Sequence, residues 1–149
     1  VPQAATENRI ADAVMACLHS IGTPASSWLS SGVVVAEGVP GNNVDVTDGP
    51  KVFVDYRGTA PVQPEADTAR HFHQATFVAW CFARTTRDLV SLKADILRAI
   101  FAAESTFISQ FQQPMWPGEF KPRPDMSDAG IAVGMQVLTV DVYMEHSAP

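Results

Sequence analysis

The 149 residues carry ten Lys and Arg against sixteen Asp and Glu, a formal charge of −6, with 46% hydrophobic and 17% charged residues. Mean hydropathy is close to zero, at +0.04. A chain of this length reads as one domain, 1–149, large enough for a core without metal or disulfides. Its acidic balance and scattered cations exclude a basic nucleic-acid binder or a reader of acidic membranes.

No apolar run reaches the roughly 18 residues of a membrane-spanning helix. The start, Val1 to Ala5, has neither the charged beginning nor the apolar centre of a signal peptide, so none is expected there. The sparse charge suggests a surface partly covered by other chains.

Thr6 is placed to cap a first helix, with Ile10, Val14, Cys17, Leu18 and Ile21 at helical spacing. Gly22 followed by Pro24 ends it. Gly32–Ala36 reads as a short β-branched strand, and a loop rich in Gly, Asn and Asp leads to an alternating strand, Lys51–Tyr56. Residues Arg57 to Ala69 read as a polar, Pro-bearing connection.

Phe72–Ala83 is a long strand. One face carries Phe72, Gln74, Thr76, Val78, Trp80 and Phe82; the other carries His71, His73, Ala75, Phe77, Ala79, Cys81 and Ala83. Both faces turn apolar toward the C-terminal half, so that half should be covered on both sides. The small residues of the second face would let a helix approach closely. After a polar turn, Leu89, Leu92, Ile96, Leu97, Ile100 and Phe101 form the apolar stripe of that helix.

Residues 112–127 read as a loop with four of the eleven prolines, carrying Met115, Trp116 and Phe120. In Ile131–Glu145, Leu138, Val140, Val142 and Met144 alternate with Val137, Thr139, Asp141 and Tyr143, a strand with one apolar and one mixed face. The order helix, strand, strand, strand, helix, strand implies an α+β fold. Its sheet should be mainly antiparallel, of about four strands, with helices on one face and long loops between elements.

Reactive groups are sparse. His71 and His73 point the same way on a strand and could share a metal, but zinc needs further ligands that no nearby spacing supplies. Cys17 and Cys81 fall on apolar faces and read as buried free thiols. Asn43–Gly49 lacks calcium-loop spacing, and Asp48-Gly49-Pro50 reads instead as a turn starting the Lys51 strand. No Gly-x-Ser-x-Gly elbow and no phosphate-cradling glycine motif occurs. Asp141, the one acid whose context could bury it, alternates onto the mixed strand face and reads as solvated or hydrogen-bonded at an interface. No cofactor is expected. Met115, Trp116 and Phe120 are costly to leave in water, and with His71, His73 and Tyr143 they are the candidate contacts to a neighbouring subunit.

The helix Glu7–Ile21, the strand Lys51–Tyr56, the Phe72–Ala83 strand running into Asp88–Ala103, and the ending Asp128–Ile131 through Gln136–Tyr143 together resemble the tail terminator (tail-completion) proteins of long-tailed bacteriophages. The resemblance lies in element order and size. It implies a non-enzymatic virion protein at the head–tail junction, assembled in the host cytoplasm. Such a protein forms a homo-oligomeric ring, typically a hexamer, that caps the tail tube and meets a head-completion protein. DNA would pass through the acidic channel without specific binding. The alternatives are another neck or head-completion protein, or a small metal-dependent enzyme using His71 and His73.

Overall fold

The apolar strand foreseen at Phe72–Ala83 lies at the middle of a five-stranded sheet. The computed structural model describes residues 5–22, 33–62, 72–128 and 130–143. In chain order these form α1 (Thr6–His19), a 3-10 turn (Ser20–Gly22), β1 (Val34–Glu37), β2 (Lys51–Pro61), β3 (Phe72–Ala83), α2 (Thr86–Ala102), α3 (Glu104–Phe111), β4 (Met115–Pro122) and β5 (Ala132–Tyr143). The sheet order is β1-β2-β3-β5-β4. β1 runs parallel to β2, and every other neighbouring pair is antiparallel. This is the α+β architecture expected, with helices on one side of a mostly antiparallel sheet.

The helix side holds the main core. Ala75, Phe77, Ala79, Cys81 and Ala83 of β3 meet Ile10, Val14 and Leu18 of α1, and Leu89, Leu92, Ile96 and Ile100 of α2. Each Leu or Ile fully buried there contributes about 1.5–3 kcal/mol of transfer free energy. The small residues on β3 do what their volume predicts. α1 and α2 pack tightly above them, so that the Cys17 thiol donates to the Ala99 carbonyl at 3.3 Å.

Among the described residues, loops cover the opposite sheet side over one half only. Val44 and Val46 from the β1–β2 loop, with Ile131, pack on Phe53, Val78, Trp80, Phe82, Val133 and Met135. The doubly covered half of β3 is therefore real, but loops and not a second helix layer close its far side. Asp45 shapes that loop, its Oδ1 accepting from Thr47 N (2.9 Å) and Thr47 Oγ1 (2.7 Å). That is an Asx-type turn, just before the turn expected at Asp48-Gly49-Pro50. Arg123 reaches over the same half, with its guanidinium 5.4 Å from the Trp80 ring centre.

Several local expectations shift. Thr6 is the first residue of α1, and Ala5 sits at the cap position without a side-chain bond. Thr85 caps α2 instead, its side chain accepting from Asp88 N at 3.1 Å. The first strand begins at Val34, and β2 runs on past Tyr56 to Pro61 through a bulge near Gly58. Between α2 and β4 lies an additional helix, α3, whose Phe107 and Phe111 face the core.

The main correction concerns residues 112–127, where the expected Pro-rich loop contains β4. Pro117 and Pro122 fit because β4 is an edge strand, where a missing N–H on the outer side costs nothing. A register shift between Pro117 and Phe120 inserts a bulge. Phe120 then packs against Gly134, where an added Cβ would lie 2.9 Å from the ring Cε1. Proline, bulge and Lys121 together make this edge a poor template for another strand.

Phe101 also departs from expectation. It is 65% exposed, although it follows the buried Ile100. One residue is a turn of about 100° on a helix, enough to carry a side chain off the core stripe.

Candidate interaction surfaces

The apolar and polar groups singled out by sequence separate onto the two sides of the sheet. Met115 is 3% exposed and belongs to the helix-side core, so it is not available as a surface anchor. Phe120 is half-buried on the same side, beneath the Lys93 ammonium at 5.3 Å from its ring centre. His73 is half-buried on that side too, with Nδ1 3.3 Å from Thr59 Oγ1. His71 lies outside the described residues.

Trp116 and Tyr143 are different. They are 55% and 65% exposed, and both project from the side opposite the helices. Tyr143 stacks on Phe72, ring centres 4.8 Å apart. Strand alternation fixes this sidedness, since Trp116 pairs with Thr139 while Met115 pairs with the buried Val140.

Beyond the loop-covered half, this side presents Phe72, Gln74 and Thr76 of β3 beside Val137, Thr139, Asp141 and Tyr143 of β5. Gln74 lies directly across from Asp141. The Asp141 Oδ1 atom is buried and finds no hydrogen-bond donor among the described residues. A carboxylate oxygen shut away from water without a donor is costly, and the half-buried Asp141 leaves the rest of its carboxyl side chain partly open to this surface.

A second surface was not anticipated. Val90 (58% exposed) and Phe101 project from α2, with the half-buried Ala94 and Leu97 between them. Positions 90, 94, 97 and 101 follow the alternating three- and four-residue spacing of a helix seam. They form a stripe distinct from the core positions Leu89, Leu92, Ile96 and Ile100. The signal is present in the sequence, but reading every apolar residue of α2 as one stripe conceals it.

The thiols are suited to packing and not to attack. Burial pushes both Cys17 and Cys81 up to about 12, which leaves little thiolate near neutrality. Burial, aided by a hydrogen bond to Glu7, likewise raises the Tyr56 hydroxyl. Asp125 is held below the usual carboxylate range by the Arg123 guanidinium, 2.7 Å away. Asp95 is buried on α2, an acid whose burial the sequence reading did not anticipate. Among the described residues no three His, Cys, Asp or Glu side chains gather as a metal cage. No described helix is long and apolar enough to cross a membrane.

A groove of about 320 Å³ runs between α1, α2 and α3, lined by residues such as Ala13, Ala16, Ala102, Thr106 and Gln110. Its lining offers small apolar side chains and few polar ones, so it holds shape more than chemistry.

Comparison with models of protein families and with curated proteins gives no match. Among solved structures, a chain in one titled "Virion of native gene transfer agent (GTA) particle" is similar, at 17% identity and a TM-score of 0.46. The similarity covers 93% of this chain and 92% of that one. Nothing about function follows from a likeness at that level.

Proposed function

We propose that this chain is a structural subunit of a phage-like virion. In this reading it assembles into a homo-oligomeric ring that caps the tail tube and joins it to the head-completion proteins. The observation that carries the assembly reading is the exposure of large apolar side chains on both sides of one sheet: Val90 and Phe101 on the helix side, Trp116 and Tyr143 on the other. A molecule with different sticky faces front and back associates head to tail, which closes into a ring when the rotation between copies allows it. The virion and tail-tube assignments rest on the resemblance in element order, and a hexamer is the ring size that resemblance implies. The formal charge of −6 suits a channel through which DNA slides without adhering.

Native mass spectrometry and negative-stain imaging test this reading. The expected result is a discrete oligomer seen as rings with a central hole, which bind the ends of purified tail tubes. Binding to head portals instead would favour a head-completion role. A monomer carrying stoichiometric zinc would overturn the reading in favour of an enzyme.

A further inference from the structure

We propose that the exposed stripe of α2 in one copy lies across the open half of the sheet in the next copy, with Arg87 of the first meeting Asp141 of the second. This inference rests on the assembly reading above and assigns its contact surfaces.

The stripe begins one turn before Val90. Arg87 extends the three-four spacing backwards, so Arg87, Val90, Ala94, Leu97 and Phe101 share one flank of α2. Arg87 is exposed and has no ion pair among the described residues. It stands with Arg84 at the N-terminal end of α2, where the helix dipole disfavours positive charge. The helix gains nothing locally from these cations, whereas a carboxylate brought in by a neighbour would offset their cost.

The open sheet half offers that carboxylate. Asp141 is half-buried, on the same side as the exposed Trp116 and Tyr143 rings and the half-buried Phe72. A guanidinium is a well-matched donor for such a group, because it forms charge-assisted bonds in a fixed planar geometry. Phe101 and Val90 would then meet the aromatic residues and leave water together with them.

The sizes agree. From Arg87 to Phe101 the helix rises about 21 Å, and Val137 to Tyr143 of β5 runs about 20 Å. Because the two surfaces lie on opposite sides of the sheet, the contact is heterologous and leaves each copy with one free face of each kind. Pairing α2 with α2 of a second copy would also cover the stripe, but it would leave Asp141 unanswered.

Charge exchange tests the contact. Arg87→Glu and Asp141→Lys are made singly and together, and mass is followed by native mass spectrometry and light scattering. Circular dichroism and a melting curve confirm that each variant is folded. Each single change should weaken association by about a hundredfold or more and leave monomers. A mixture of the two single variants should recover an oligomer in which the two alternate, because Arg87 then meets Asp141 at one contact and the two substituted side chains meet, with the charges exchanged, at the next. The double variant should recover the wild-type oligomer. If Asp141→Lys does not fold, Asp141→Asn keeps the shape, removes the charge and should still weaken association.

If Arg87→Glu disrupts assembly while both Asp141 variants assemble normally, the contact is overturned in favour of α2 pairing with α2. If neither position matters to an oligomer that does form, the docking is wrong and the assembly reading stands. A wild-type chain that remains monomeric at the highest attainable concentration overturns the assembly reading, and the docking with it.

Discussion

The side-chain amide of Gln136, 1% exposed, donates to the Gly118 carbonyl at 2.8 Å and to its neighbour Val137 O at 3.0 Å. The first bond crosses from β5 to the bulge in β4, where the register between the strands breaks. A buried glutamine thus takes over a carbonyl that the bulge removes from the strand ladder.

Replacing Gln136 with Ala should cost about 2–4 kcal/mol, combining a cavity with an unsatisfied carbonyl. Chemical denaturation reads the total, and hydrogen exchange should locate the loosening in β4 ahead of β3. Exchange that quickens equally across the sheet would count against a local role. Loosening β4 would also disturb Trp116, so this residue links fold stability to the proposed surface.

Ile100 and Phe101 are neighbours with opposite environments, 2% and 65% exposed. Ile100→Ala should destabilise the fold by about 2–5 kcal/mol through loss of core packing. Phe101→Ser should change the stability of the monomer by no more than about 0.5 kcal/mol. Melting curves of dilute protein distinguish the two. A large loss on replacing Phe101 in the monomer would mean that it packs within its own chain.

The buried thiols predict a weakness at alkaline pH. Cys17 and Cys81 have native values near 12 against an ordinary value of 9.0, both raised by burial. Between those values the unfolded chain loses thiol protons that the folded chain keeps. The unfolded state therefore binds fewer protons, and stability falls as pH rises. Below about pH 8 the thiols are protonated in both states and contribute no pH dependence. The raised Tyr56 hydroxyl acts in the same direction at higher pH. Denaturation midpoints should decline above about pH 9, and a Cys17→Ala, Cys81→Ala variant should decline less steeply. The same burial should slow the reaction of both thiols with a disulfide reagent until the protein is unfolded.

Much of the fold was legible because burial leaves a periodic trace. The small-residue side of β3, the buried face of β5 and the core positions of α2 all follow strand or helix spacing, and neighbouring elements merely completed what the alternation implied. Where tolerance depends on position in a sheet, that trace fails. Prolines 114, 117, 122 and 124 read as a loop, yet β4 accommodates two of them because its outer edge needs no hydrogen bonds.

The candidate surfaces divide along the same line. Sequence alone determined that this chain has a helix-covered sheet, buried thiols and costly apolar residues near 115–120. Only the tertiary structure decided which of these reach the surface. Alternation sends Met115 into the core and Trp116 outward, while the bulge turns Phe120 in against Gly134. Likewise, the chain order gives no sign that Asp141 would lie across from Gln74 with one oxygen buried. Periodicity reports which way a residue faces relative to its own element. Whether that direction meets core, loop or open solvent depends on distant segments, and these come together only when the sheet assembles.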